Sequence, residues 1–299
     1  MTSSKTQFQI FLDNEVNKVK GIYYPVKAGF LRRILIRRAP CSRMHPNPYD
    51  EFSQPNIGPN PRIITEYVNL YKEYRFVNGM TFLTGNVSQP VIVEKAYPAG
   101  YIILNGHHRW AAATRVGLKN LPIRIVDLTQ KEDLRKMLNK ARSDKRVTLD
   151  LDETVFRSDS DPCIEKSLPF PLNRIYTERL RLGIPALFRF LVGHGYEIWV
   201  FSARYYSLEY IRKLFRHYHI PVTGIVTGTS RKGPEGKDTI AELEQMLSRQ
   251  YCSTLHIDGS AVLHTRSDSK EYEEYALSGP DASWSAAVMT IIEDRIYDA

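Results

Sequence analysis

Along this chain, apolar and polar positions alternate in two distinct ways, with the change near the middle. In the first half, "IITEYVNLYKEY" from Ile63 repeats apolar residues at helical spacing. "QPVIVEKA" and "YIILNG" read as two strands of a β-hairpin joined by the turn "YPAG". "HHRWAAATRVG" follows as a helix that ends at Gly117, and "LPIRIVDL" as a further strand. The stretch 45–62, "HPNPYDEFSQPNIGPNPR", is dense in Pro, Asn and Gly and reads as an ordered loop. "FLRRILIRR", 30–38, is a strand or a short helix. Its paired arginines form either a phosphate-binding stripe or, more simply, a solvated face beside Leu31, Ile34, Leu35 and Ile36.

Residues 129–146, "TQKEDLRKMLNKARSDKR", are charged and helical and read as a connector. After them strands and helices alternate. "RVTLDLD", "YEIWVFSA", "VTGIVTG" and "STLHIDG" are strands. "IPALFRFLVGHG", "SLEYIRKLFRHYHI" and "DTIAELEQMLSRQY" are the helices between them. Such alternation predicts a parallel α/β sheet with helices on both faces. The pattern divides the chain into a domain over 1–142 and a second over 143–299.

Composition adds a bias. Lys and Arg total 41 against 33 Asp and Glu, a net charge of +8, which favours acidic partners: nucleotides, phosphorylated substrates or nucleic acid. Cys41, Cys163 and Cys252 are far apart and form no CxxC pair, which argues against a zinc knuckle or a disulfide framework and for a reducing cytoplasm. No signal pattern opens the chain and no apolar run reaches membrane-spanning length, so no membrane association is expected.

In a parallel α/β sheet, ligands bind outside the carboxyl ends of the strands. Three predicted strand ends carry polar residues: Asp150 and Asp152, then Ser202 and Arg204, then Asp258 and Ser260. A basic loop, "SRKGPEGK", lies between the last two. Carboxylates, a hydroxyl and a lysine in one crevice are what phosphoryl transfer needs: an oxygen-ligated Mg²⁺, a nucleophile, and donors for the phosphate. Over residues 145 to about 265 these segments closely resemble the haloacid dehalogenase-like (HAD) phosphohydrolases. "DLDETV" matches the first motif, "VFSAR" the second and "HIDGS" the fourth, in the same order and spacing.

That resemblance implies a Rossmann-like domain and a set of roles. Asp150 is the nucleophile that forms an aspartyl-phosphate, and Asp152 protonates the leaving oxygen and later activates water. Asp150, Asp258 and the main-chain carbonyl of Asp152 hold Mg²⁺, and Ser202 binds a phosphoryl oxygen. A lysine, Lys237 or its rival Lys232, offsets the charge. The fourth motif often carries a second acid, whereas here Gly259 and Ser260 follow Asp258. Family members specific for small molecules usually carry a cap domain, and the short segment from Phe156 to Ile184 leaves room for little or none. The site is therefore expected to be open and suited to a macromolecular phosphoester.

In the first half, Asn105 and Gly106 separate a strand from a helix whose first turn presents His107, His108 and Arg109. A helix N-terminus with cationic side chains is an anion site, with phosphate the natural guest; a capped helix start with partly exposed rings is the plainer alternative. Over about residues 40–127, Gly106-His107-His108-Arg109, the loop "NPYDEF" and the Pro of "SQPVIV" resemble the ParB/sulfiredoxin-like fold, an α+β domain. Its members include nucleotide-hydrolysing partitioning proteins, nucleases, sulfiredoxins and serine kinases. His107 stands where sulfiredoxins need Cys. Asn105 stands where the kinase-like members often have Asp, so a carboxylate would have to come from Glu51 or Asp50. Nucleotide or phosphate binding, with ATP or another nucleotide, is the implied role of Gly106, His107, His108, Arg109 and Glu51.

Together these readings predict a phosphoryl-transfer enzyme: a Mg²⁺-dependent phosphomonoesterase fused to an ATP- or phosphate-binding domain that is kinase-like or nuclease-like. Its substrate would be a nucleic-acid end or a phosphorylated small molecule. The alternative is a non-catalytic or nuclease-type nucleic-acid-binding protein built on the ParB-like domain.

Overall fold

A computed structural model describes residues 6–78, 89–267 and 271–297, without the side chains of 74–78, 234–240, 295 and 297. It is mixed α/β, with parallel and antiparallel pairing, and it divides into two compact units. The first holds residues 1–127 with the short segment Arg231–Glu235, and the second holds the rest.

The first unit contains helices α1 (Gln7–Val19), α2 (Phe30–Leu35), α3 (Pro61–Asn78) and α4 (His107–Arg115). Its strands are β1 (Tyr24–Pro25), β2 (Arg38–Pro40), β3 (Met44–Pro46), β4 (Val91–Tyr97), β5 (Tyr101–Asn105) and β6 (Asn120–Ile125). The sheet runs β2-β6-β4-β5-β3, with β1 added along β4. The expected hairpin is β4 and β5, paired antiparallel, while β4 and β6 are parallel. Helix α4 buries Trp110 and Ala111 to Ala113 against Val91, Val93, Ile103, Leu121 and Ile123. The alanines let its backbone come close to the sheet. It ends where the sequence indicates: Gly117 has φ of 72°, and Leu118 N–H bonds back to the Ala113 carbonyl. The 30–38 stretch, ambiguous in sequence, is helix α2 followed by strand β2, with Leu31 and Leu35 exposed.

The second unit opens with α5 (Lys131–Leu138) and β7 (Lys145–Asp150). Then come β8 (Phe156–Arg157), β9 (Arg179–Leu180), α6 (Ile184–Gly193), β10 (Glu197–Ser202), α7 (Leu208–His217) and β11 (Gly224–Thr227). It closes with α8 (Pro234–Gln250), β12 (Ser253–Ile257), β13 (Ala261–Arg266), β14 (Tyr272–Ala276) and α9 (Trp284–Ile291). Its sheet order is β11-β10-β7-β12-β13-β14. The first four strands are parallel, as the alternation predicts, and β13 and β14 extend the sheet antiparallel.

Both faces of the parallel part are covered, which is why β10 buries Ile198, Trp199 and Val200 in an unbroken run. Ile198 and Val200 pack with Leu187 of α6 and with Ile211 and Leu214 of α7. Trp199 and Val226 pack with Leu134, Met137 and Leu138 of α5 and Leu243 and Leu247 of α8. Helix α5 thus belongs to the second unit, and the sequence-drawn boundary at 142 falls inside that unit. Its apolar residues at i, i+3 and i+4 form one stripe, and that stripe finds its partner in this sheet.

Candidate functional site

The strand order of the second unit contains a reversal. The chain builds outward from β7 to β10 and β11, then returns to lay β12 on the other side of β7. The carboxyl ends of β7 and its neighbours therefore flank a crevice of the kind that holds ligands in α/β sheets. Asp150 closes β7. Phe201 pairs with Asp150 in register and Ile257 pairs with Leu149, so Ser202 and Asp258 come one position later on the two flanking strands.

Beyond Asp150 the backbone makes one wide turn, Leu151–Val155, and Asp150 organises it. Its Oδ1 accepts the N–H groups of Asp152 at 2.7 Å and Glu153 at 2.9 Å. The Asp152 carboxylate faces the end of β10. The Ser202 hydroxyl donates to its oxygens at 3.1 and 2.9 Å, and the Ala203 and Arg204 N–H groups donate at 2.9 and 3.2 Å. The Arg204 guanidinium adds an ion pair at 3.6 Å. A carboxylate with this many donors keeps one orientation.

Asp258 is held by its own turn. Its Oδ1 accepts from Ser260 N–H at 2.6 Å, Ser260 Oγ at 3.0 Å and Ala261 N–H at 2.8 Å. Partial burial opposes ionisation, but these donors outweigh it and hold the Asp258 pKa below the usual carboxylate value. Ser260 supplies two of these three donors.

The carboxylates of Asp150, Asp152 and Asp258 do not converge on a single point. Among the described residues, the one trio of acidic or thiol side chains with ligand atoms within 4.8 Å of one another is Asp161, Cys163 and Asp281. Asp281 is already paired with Arg157 and Arg181. Of the two candidate lysines, Lys237 falls on α8, where its side chain lies outside the described residues. Lys232 groups with the first unit, 3.7 Å from Glu51.

In the first unit, β5 leads into α4 through Gly106, whose φ of 99° is left-handed. The Arg109 guanidinium lies over that glycine and would be about 3.0 Å from an added Cβ. It donates to the carbonyls of Gln89 and Pro90 at 2.6 and 3.1 Å, and to Asn105 Oδ1 at 3.4 Å. His107 is buried, with Nε2 accepting the Asn47 N–H at 3.2 Å and Nδ1 3.7 Å from Asp50. Burial lowers its pKa to about 4, so the ring is neutral at neutral pH. His108 Nε2 accepts the Asn60 N–H at 3.1 Å, and Phe52 packs on both rings.

The sequence groups Gly106, His107, His108, Arg109 and Glu51 as a binding set. In the structure the two histidines and the arginine fix the surrounding backbone, while Glu51 is exposed beside Lys232. A cavity of about 260 Å³ in the same unit is lined by Tyr24, Asn47, Tyr49, Arg231 and Lys232 among others. Sequence reasoning missed it because its lining residues are up to about two hundred positions apart in the chain.

Residues 74–141 match the family model of the ParB N-terminal domain. Among solved structures, the chain is similar to a C-terminally truncated chromosome-partitioning protein ParB from Caulobacter crescentus, complexed with CTP-gamma-S. The identity is 24% and the TM-score 0.23, over 36% of this chain and 55% of that one. The chain thus spans about half the length of that protein. No curated protein matches. The ParB-like part of the sequence reading is supported by the family match, which ends before β7. Of the two functional readings, the nucleic-acid-binding one is the better supported by it. Among the described residues, no helix is long and apolar enough to cross a membrane.

Proposed function

We propose that the ParB-like domain binds a nucleotide or nucleic acid, and that the second unit is a Mg²⁺-dependent phosphomonoester hydrolase of the HAD type. The first half rests on the family match, together with the net charge of +8. The second rests on one observation: Asp150 and Ser202 close two adjacent parallel strands and Asp258 directly follows a third, at the crevice where the strand order reverses.

In this reading Asp150 attacks phosphorus. The bond from phosphorus to the leaving oxygen breaks, and Asp152 gives that oxygen a proton. Asp152 then takes a proton from water, the water oxygen bonds to phosphorus, and the bond to Asp150 breaks to release phosphate. Ser202, buried at the end of β10, donates a hydrogen bond from its hydroxyl to Asp152 and so orients it. The oxygen-only donors Asp150, Asp258 and the Asp152 carbonyl fit a hard cation, and bound Mg²⁺ would neutralise charge on the phosphoryl oxygens. Lys237 is the proposed charge-offsetting lysine.

With an aryl phosphate and Mg²⁺, Asp150→Asn should lower turnover by at least about a thousandfold. Equal rates for the variant and the wild type would sink the hydrolase reading. For the first domain, fluorescence anisotropy with labelled oligonucleotides and a panel of nucleoside triphosphates should show binding that Arg109→Ala weakens. No binding by either protein would rule out the site.

A further inference from the structure

The segment between the first two strand ends, expected to be only a short connection, builds a wall. Strands β8 and β9 pair Phe156 with Leu180 and Arg157 with Arg179, so a hairpin sets two arginines side by side. A cavity of about 320 Å³ lies against it, lined by Arg157, Arg179 and Glu178 and also by Asp152 and Arg204. Since Asp152 protonates the leaving oxygen in the reading above, a cavity that Asp152 borders is where the leaving group belongs.

The chemistry of the walls narrows what that group is. Phe156, the one aromatic residue in the lining, is 4% exposed and offers no face for a base to stack on. Three guanidinium groups line the space instead, together with the carboxylates of Asp152, Asp159 and Glu178. The Nε atoms of Arg157 and Arg179 are buried and make no hydrogen bond. Asp161 at 3.9 Å and Asp159 at 3.3 Å face these Nε atoms within ion-pair reach only, while a terminal nitrogen of Arg157 donates to Asp281 at 3.3 Å and one of Arg179 donates to the Glu165 carbonyl at 3.2 Å. The Asp159 side chain is 83% exposed, so its hold on Arg179 is weak. A buried N–H without an acceptor is costly, and an arginine pair matches the oxygens of a phosphate.

We propose that this cavity is the leaving-group subsite, and that it selects phosphomonoesters whose leaving group carries a second phosphate or phosphodiester, bound by Arg157 and Arg179. The proposal rests on the hydrolase reading for its place in catalysis. Two sources offer this chemistry: a sugar bisphosphate, and the next phosphodiester of a phosphorylated oligonucleotide.

The test uses the full chain with Mg²⁺. It compares kcat/KM for a hexose bisphosphate against the monophosphate, and for a 5′-phosphorylated dinucleotide against the 5′-mononucleotide. In at least one pair the second anion should raise kcat/KM by about tenfold or more, and the pair that responds identifies the source. Arg157→Gln with Arg179→Gln should remove most of that preference. Arg157→Lys with Arg179→Lys, which keeps charge but loses the planar fork, should retain part of it. Equal values within both pairs, or a preference that survives the double Gln substitution, overturns the proposal. If the wild type hydrolyses nothing, calorimetric affinity for the hexose bisphosphate and the phosphorylated dinucleotide decides. An affinity about tenfold weaker in the double Gln variant keeps the anion subsite and sinks only the hydrolase reading; equal affinities sink the subsite too.

Discussion

At the start of α4, two adjacent histidines accept backbone N–H groups from the 45–62 loop, and this ties the loop to protonation. The folded state holds His107 neutral, with a pKa lowered to about 4 from the ordinary 6.5 because burial penalises the cation. Burial lowers His45 and His108 in the same direction. The unfolded chain therefore binds more protons between these values. The stability contributed is complete above about pH 6.5 and is lost as pH falls toward about 4. The melting temperature should fall over that window, and His107→Gln should make the fall shallower while its amide oxygen still accepts from Asn47. A variant with the wild-type slope would show that His107 is not the sensor. The contrast with Asp150 shows what a sequence displays. Asp150 binds N–H groups two and three residues away, and such local chemistry reads directly from "DLDET". His107 is fixed by a residue sixty positions upstream, a contact that no local motif displays.

Elements with a long period were legible, and short ones were not. Helix α7 places Leu208, Ile211, Leu214 and Phe215 on one buried stripe and was evident from spacing alone. Strands β8 and β9 are two residues each, too short for any alternation, so the hairpin and its arginines escaped notice. Strands β13 and β14 were missed because the alternation of strand and helix stops at β12. Helix α5 was legible as a helix but not as part of the second sheet's cover. Leu134→Ala should therefore destabilise by about 2–5 kcal/mol, because Leu134 is 1% exposed in the cluster around Trp199. Amide exchange should speed up in β10 and β11 and stay unchanged in β4; faster exchange in β4 instead would tie α5 to the first unit.

For the whole chain, the two units behave as separate cores, and their boundary depends on the criterion. Compactness ends the first unit at Asp127, while the ParB N-terminal match runs to 141, so the two bracket α5. The net charge of +8 belongs to the molecule rather than to any one site. If the ParB-like domain binds nucleic acid, affinity should fall steeply as salt rises, because neutralising phosphates releases counterions. An affinity that ignores salt would leave the basic balance without a role in binding.

Among the described residues, the second sheet stops at β14, "YEEYA", whose outer backbone row has no strand neighbour in the sheet order. Glu273 and Glu274 stand on that strand and Glu271 just before it, all exposed. A second copy approaching to add its own strand would bring like carboxylates together. The border of the sheet is thus guarded by repulsion against edge-to-edge growth, the main hazard of an open sheet edge during synthesis and refolding.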